Sequence, residues 1–329
     1  IQETPSTRTF VLIGTNGETS GLTYRAGQHL TLLVNLDGAT HRRCYSLSSC
    51  PDNGGPPAIT VKRVTDGKVS RYLHDEIRVG DELRATSPGG NFTIDVDAAA
   101  ARHVVLIAGG VGITPLIGLA ETVLRNEPGS RVSLRCGHRN EGEIIFRERL
   151  AKLEREYGER LDLAYALDDP SPEWKGLCGA LDGPRVMDSL GDVGAELYFL
   201  CGPAPMVQSV SDALAAAGIP GERIRTERFT YASAANTPIP RRPARIHFAA
   251  SGREVTAAPG QTILQAGLAA GLEMPFSCTM GGCGACKIRR VEGEIVMSEP
   301  NCLTQSERES GYLLACCSYA DEHVVIEDY

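Results

Sequence analysis

A chain of 329 residues is roughly twice the usual size of one domain, about 150 residues, so two or three domains are expected and a single small one is excluded. Thirty-three Lys and Arg stand against 41 Asp and Glu, a formal charge of −8 with no basic block to track a phosphate backbone, which argues against a nucleic-acid partner. The 42% apolar and 22% charged fractions describe an ordinary globular chain, and 11 cysteines, too sparse and odd in number, indicate reduced thiols rather than disulfide staples.

Residues 7–97 read as short β-prone segments, 8–13, 29–35, 58–64 and 81–85, broken by turns such as Asp52-Asn53-Gly54-Gly55-Pro56-Pro57, the pattern of a small antiparallel barrel. Arg43-Cys44-Tyr45-Ser46-Leu47 falls where another barrel strand belongs. A guanidinium for phosphate, a flat phenol for an isoalloxazine ring and a hydroxyl for flavin N5 suit a flavin, although an ordinary strand also accommodates these residues. Thr60-Val61-Lys62-Arg63 is followed by Gly67-Lys68-Val69-Ser70, which opens a short helix through Leu73. A glycine turn feeding a helix start suits a pyrophosphate, or is simply a capped helix.

From His103 the rhythm becomes strand, helix, strand: 104–108, a helix from Pro115, 132–136, a charged helix at 146–157, 161–166, 196–200 and a helix at 204–217 closed by Gly218. This predicts a parallel sheet with crossover helices. Residues 104–120 carry no charge, yet their centre, Gly109-Gly110-Val111-Gly112-Ile113-Thr114-Pro115, reads as a turn between strand and helix rather than a membrane span. Thr114 is the candidate N-cap and Pro115 the first helical residue. Missing Cβ atoms let backbone N–H groups approach a dinucleotide pyrophosphate, although Pro115 replaces the last glycine of the G-x-G-x-x-G pattern. Arg139, after the second strand, suits the 2′-phosphate of NADPH, whereas an acid there would suit NADH, and the choice stays open. Leu200-Cys201-Gly202-Pro203 reads as a buried thiol before a turn, and Glu227-Arg228-Phe229 as a strand end.

Residues 231–243 hold three prolines without apolar periodicity and read as a linker. Beyond it come strands at 245–249 and 253–257, then a helix with a Thr262/Gln265 capping box, a stop at Gly271 and an apolar face of Ile263, Leu264, Gly267 and Leu268. Cys278, Cys283 and Cys286 stand as C-x4-C-x2-C in the glycine-rich run Met280-Gly281-Gly282-Cys283-Gly284-Ala285-Cys286. That spacing suits a [2Fe–2S] cluster needing four soft thiolates, with Cys302, Cys316 and Cys317 all available downstream as the fourth. Structural zinc prefers two close pairs, and the adjacent Cys316-Cys317 is too tight for one tetrahedral ion. Cys44, Cys50, Cys136, Cys178 and Cys302 are scattered and read as small buried residues.

The segment from Ala258 onward resembles a plant-type ferredoxin domain of β-grasp fold, a low-potential one-electron carrier on the order of −400 mV. The resemblance implies Cys278, Cys283, Cys286 and Cys316, the last in Leu313-Leu314-Ala315-Cys316, as the ligands. Residues 7–230 resemble the ferredoxin-NADP reductase superfamily. That resemblance implies a flavin on Arg43, Tyr45 and Ser46, flanked by Thr60, Val61 and Lys62, with its pyrophosphate on Gly67, Val69 and Ser70, which favours FAD over FMN. It implies NADH or NADPH on Gly110, Gly112, Thr114, Pro115 and Arg139, with Cys201, Gly202 and Pro203 beside the nicotinamide and Phe229 on the flavin face opposite Tyr45. Ser46, Cys201, Glu227 and Phe229 form the implied catalytic set.

The implied division is a flavin-binding antiparallel β-barrel, 1–98, a nucleotide-binding α/β parallel-sheet domain, 99–230, a linker, 231–243, and a β-grasp ferredoxin domain, 244–329. This order resembles the reductase components of bacterial multicomponent oxygenases, such as phenylacetyl-CoA epoxidase and Rieske-type systems. Electrons would pass from NAD(P)H through FAD and the cluster to a separate oxygenase. A desaturase, a cytochrome P450 or a hybrid-cluster protein are alternative acceptors, and a colourless interaction module on a dead scaffold is the alternative of another class. Residues 244–329 hold six Lys and Arg against eleven Asp and Glu, which suits a basic acceptor. No basic region followed by an apolar run opens the chain, so the cytoplasm is expected.

Overall fold

The computed structural model describes residues 1–15, 22–191, 194–229, 237–299, 301–303 and 305–327, which fall into two units, Ile1–Phe229 and Thr230–Tyr329. The first unit begins with β1 (Gln2–Thr4), β2 (Thr7–Val11), β3 (His29–Leu36), β4 (Ala39–Ser46), β5 (Ala58–Lys62) and α1 (Lys68–Asp75). β1, β2 and β5 form one antiparallel sheet and β3–β4 a hairpin. The hairpin turns at Asp37 and Gly38, both at positive φ (51° and 73°), matching the right-handed twist of its strands. Leu30, Leu32, Val34, Leu47, Ile59, Val61, Val69 and Leu73 fill the interior.

The strand expected at 81–85 does not form. The Asp81 carboxylate takes the Arg78 amide (2.7 Å) and Asp81 N donates to Arg78 O, folding the start of the segment into a turn, and only its end meets β3, through the Ala85–Leu32 bridge and the bonds from Leu33 N to Arg84 O (2.8 Å) and from Thr86 N to Thr31 O (3.0 Å).

A sheet follows from β6 (His103–Gly109), α2 (Ile113–Asn126), β7 (Arg131–His138), α3 (Arg147–Tyr157), β8 (Leu161–Leu167), β9 (Leu177–Cys178), α4 (Gly183–Leu190), β10 (Leu197–Cys201), α5 (Ala204–Ala216) and β11 (Ile224–Glu227). Its strands run parallel in the order β11-β10-β6-β7-β8-β9. β6 is central and wholly buried, which explains its uncharged sequence as that of a parallel strand covered on both faces. Among the described residues no helix is long and apolar enough to cross a membrane.

Thr114 is not the N-cap. A 3-10 turn, Gly110–Gly112, leads into α2, Gly112 caps it, and Pro115 becomes the third helical residue. The Thr114 hydroxyl donates backward to Val111 O (3.0 Å), because the turn already carries the chain into helical geometry two residues early.

The second unit contains β12 (Ala244–Phe248), β13 (Arg253–Ala257), α6 (Ile263–Ala269), β14 (Lys287–Met297), α7 (Gln305–Glu309), β15 (Tyr312–Leu314) and β16 (Ser318–Glu327). The sheet order is β13-β12-β16-β14-β15, with β12 and β16 parallel and the other pairs antiparallel, the β-grasp arrangement around α6. The capping box forms: Thr262 Oγ1 accepts from Gln265 N (3.2 Å) and Gln265 Oε1 from Thr262 N (3.0 Å). Leu268 is exposed, contrary to expectation. Met274, Leu272 and Phe248 cover the helix at Gly267, so Ile263, Leu264, Ala266 and Gly267 make the buried face and Leu268 sits at its edge. Of the expected linker, 231–236 lie outside the described residues, and Thr237 Oγ1 donates to Ser298 Oγ (3.0 Å) within the second unit.

The connector from barrel to parallel sheet is held by Glu127, which is fully buried. Arg102 pairs with it through Nε (3.0 Å) and Nη2, Ser130 Oγ donates to it (2.7 Å), and so does Asp97 N (3.2 Å). Burial opposes its ionisation, but Arg102, Ser130 and the Asp97 amide outweigh burial and hold the carboxyl below its usual range. Glu127→Gln is expected to lower stability by about 3 kcal/mol at neutral pH, because it leaves Arg102 uncompensated. A depressed folded pKa stabilises above the unfolded value, so the deficit should shrink as pH falls below about 4. Denaturant unfolding of both proteins at neutral and acid pH measures it, and a constant deficit would contradict the assignment.

Candidate functional site

Arg43, Tyr45 and Ser46 lie on β4 opposite Leu32, Leu30 and His29 of β3, with Arg43 and Tyr45 half-buried and Ser46 buried. Ser46 Oγ donates to Glu227 Oε2 (3.4 Å). Glu227 ends β11 in register with Cys201, which ends β10. The barrel strand and two ends of the parallel sheet therefore converge on one hydroxyl, one carboxyl and one thiol. Burial pushes the Glu227 carboxyl up to about 8, with the Ser46 hydrogen bond pulling against it. Burial also raises the Cys201 thiol well above its ordinary value, and Glu227 adds to the rise. At neutral pH all three carry their protons and no net charge.

Thr60 and Val61 are buried, Thr60 Oγ1 bonding Thr9 Oγ1 and Ser48 Oγ (2.8 Å each), so of that triplet Lys62 alone has an exposed side chain. Gly67 caps α1 without a side-chain hydrogen bond, leaving first-turn amides available. Val69 is packed in the barrel, and Ser70 Oγ accepts from Val64 N (3.1 Å) and donates to Gly67 O (3.1 Å), fixing the turn. What this segment offers a phosphate is backbone N–H rather than hydroxyl.

At the second glycine turn the two glycines differ. Gly110, at φ 53°, has open space where a Cβ would sit. Gly112 does not: a Cβ there would collide with the Cys201 carbonyl, so the missing side chain lets the turn meet the end of β10. Pro115 is buried in the first turn of α2. Gly202 and Pro203 carry β10 into α5, with Pro203 at the N-cap. Phe229 is half-buried against the core of the parallel sheet, and Arg139 is exposed just past β7.

In the second unit Cys278, Cys286 and Cys316 are buried and Cys283 half-buried. Backbone amides point at their sulfurs: Met280 N and Gly282 N reach Cys278 Sγ (3.3 Å each), Gly281 N reaches Cys316 Sγ (3.2 Å) and Cys278 N reaches Cys283 Sγ (3.5 Å). The Cys316 thiol also lies within hydrogen-bonding reach of Cys278, Cys286 and Cys317. Amides aimed at converging sulfurs fit anionic thiolates bound to a cluster. Cys302 lies beside the loop, its amide bonding Gly281 O (2.8 Å).

Sequence reasoning missed a three-way contact: Arg149 bonds both oxygens of Glu121 and the carbonyl of Ser48. No local motif marks it.

Residues 2–94 match the oxidoreductase FAD-binding domain, 106–212 the oxidoreductase NAD-binding domain and 246–321 the 2Fe-2S iron-sulfur cluster binding domain. The chain is 33% identical over 325 residues to a component of the 1,2-phenylacetyl-CoA epoxidase of Escherichia coli K12, covering 93% of this chain and 88% of that one. It is 30% identical to the glycine betaine monooxygenase reductase subunit of Chromohalobacter salexigens, covering 99% and 93% respectively. Phthalate dioxygenase reductase, solved as a modular structure for electron transfer from pyridine nucleotides to [2Fe-2S], superposes with a TM-score of 0.65 at 25% identity, over 99% of this chain and 94% of that one. Three cofactor-binding domains in this order, and relatives that share them end to end, make the chain a member of the FAD- and [2Fe–2S]-containing NAD(P)H oxidoreductases that serve as reductase components of multicomponent oxygenases.

Proposed function

We propose that this chain oxidises NADH or NADPH and delivers single electrons to a separate terminal oxygenase in the cytoplasm, with no organic substrate of its own. The observation that carries the reading is the meeting of Ser46, Glu227 and Cys201 at one point, supported by the names of the relatives. The proposed division is barrel 1–98, nucleotide domain 99–230, linker 231–243 and ferredoxin domain 244–329.

Bound FAD and the cluster supply the conversion of a two-electron hydride into one-electron steps. The chain's own residues do the rest. Arg43 would take a flavin phosphate, Tyr45 and Phe229 would cover the two ring faces, and the segment Gly67, Val69 and Ser70 would hold the pyrophosphate, with the amides of Val69 and Ser70 in the first turn of α1 as donors, since the Gly67 amide already bonds Val64 O (3.0 Å). Ser46, whose hydroxyl donates to Glu227, would be the residue that meets flavin N5, and Glu227 keeps its own proton at neutral pH. The thiol of Cys201, neutral through burial, would offer an uncharged surface to the nicotinamide. Gly110 leaves the dinucleotide turn open, the 3-10 turn Gly110–Gly112 ahead of α2 would receive the dinucleotide pyrophosphate, and Arg139 would be the residue to meet a 2′-phosphate on NADPH. Cys278, Cys283, Cys286 and Cys316 hold the iron.

The purified protein should show flavin and iron–sulfur absorption, release FAD on denaturation and bleach in both bands when titrated anaerobically with NADH or NADPH. Zinc in place of iron and sulfide, or no bleaching by either nucleotide, would overturn the reading. Cys316→Ser should abolish the cluster absorption while FAD stays bound, and Cys302→Ser and Cys317→Ser should each retain the cluster.

Glu227 gives a pH signature. Its folded pKa lies above the unfolded value of about 4.3, so the proton it keeps contributes fully to stability below that value, and the contribution is lost as pH rises towards about 8. Glu227→Gln, which does not titrate, should gain on the wild type between about pH 5 and pH 8 and no further above. Thermal unfolding across that range checks it, and two parallel curves would exclude a raised carboxyl.

A further inference from the structure

We propose that Arg149 is a positioning residue for hydride transfer: its guanidinium fixes the flavin strand against the dinucleotide helix. The proposal rests on the reading above, in which nicotinamide and flavin meet beside Ser46.

Arg149 lies on α3 and reaches two elements at once. Nε and Nη2 donate to Glu121 Oε1 and Oε2 on α2 (2.7 and 2.8 Å), and Nη1 donates to Ser48 O (2.8 Å). Ser48 follows Ser46 by two residues, and its other polar groups are held within the barrel: its amide donates to Ala58 O (2.8 Å) and its hydroxyl bonds Thr60 Oγ1 (2.8 Å). Moving Ser48 therefore moves the strand end that carries Ser46. Glu121 belongs to the helix whose start is the dinucleotide turn, so moving Glu121 moves that turn.

Other contacts mark the same seam. A Cβ on Gly118 of α2 would stand 3.0 Å from Ser49 O, and Thr122 Oγ1 lies 3.4 Å from Cys50 Sγ. Gly118, Glu121 and Thr122 share one face of α2, at spacings of three and four, and that face is docked on residues 48–50 of the barrel. A planar fork with several fixed donors holds two such partners at a set spacing, which an ammonium on a flexible stem does not.

Stability alone is a poor reason for this arrangement. Glu121 is almost wholly buried, and a largely desolvated ion pair commonly gives no more stability than apolar side chains of equal volume. Phe146, whose ring lies under the guanidinium (5.4 Å), adopts a left-handed φ of 59° just before α3. Such a conformation is unfavourable for a bulky side chain and persists where its surroundings over-determine it. Two locally costly features thus coincide where α3 touches the flavin strand. Hydride transfer gives a reason, because a misplacement of about 1 Å can cost on the order of 100-fold in rate.

The test uses the FAD- and cluster-loaded protein and its Arg149→Lys variant, which keeps the charge and loses the fork, with Glu121→Gln as a second disruption of the same seam. Both variants should keep full FAD content and bind nucleotide within about twofold of the wild type. Both should bleach the flavin about 10- to 100-fold more slowly at saturating nucleotide. Both should also weaken the long-wavelength absorption that appears when oxidised nicotinamide stacks on reduced flavin, an equilibrium signature independent of turnover. Wild-type rate and wild-type band in the lysine variant would overturn the proposal, as would slowing fully matched by loss of FAD or nucleotide binding. A wild type that neither nucleotide bleaches would instead sink the electron-transfer reading, and this proposal with it.

Discussion

The carbonyl of Cys201 lies so close to Gly112 that no side chain fits between them, and the arrangement of the site follows from that approach. It sets the start of α2 beside the end of β10 at the C-terminal edge of a parallel sheet, where open α/β sheets bind their ligands. It also brings the thiol of Cys201 to the place where Glu227, one strand over, meets Ser46 of the barrel. A larger residue at position 112 would part the end of β10 from the turn. Gly110, only two positions earlier, meets no such obstacle and has open space where a side chain would stand.

The same economy governs protonation at this point. Burial drives both Glu227 and Cys201 towards their neutral forms, so the junction presents donors and acceptors without net charge. Two ionised groups held that close would repel each other. A hydroxyl, a protonated carboxyl and a thiol avoid this while remaining able to orient what binds beside them.

Much of this was legible in the sequence wherever the determining contacts are local. The Thr262/Gln265 box, the Cys278 to Cys286 loop, β4 with Arg43 to Ser46 and the glycine turn after β6 all depend on neighbours within a few residues, and all appear where the spacing puts them. The resemblance to known reductases supplied Glu227 and Cys201, which no local pattern distinguishes from a strand end and a buried thiol. What stayed hidden is set by distant partners. The role of Gly112 depends on a carbonyl from another strand, the exposure of Leu268 on where Met274 folds back, and the Arg149 fork on residues 28 and 101 positions away. The segment at 81–85 shows the converse at its start, where the Asp81 carboxylate captures the Arg78 amide, while Arg84 and Ala85 still pair with β3.

Charge on the second unit follows a further division of labour. Arg245, Lys287, Arg289, Arg290 and Arg308 each pair with an acid, namely Glu254, Glu307, Glu327, Glu294 and Glu299. These pairs neutralise one another, so the excess negative charge of residues 244–329 resides on other acids, among them the exposed Glu273, Glu292, Asp321 and Glu322. Such surface charges contribute little to stability, but their summed field extends about 10 Å at moderate salt and accelerates encounter with a partner of opposite sign. For a protein that must meet its acceptor repeatedly and release it each time, a long-range field suits the task better than a large apolar interface, because rim charge raises association rates while leaving the bound complex weak.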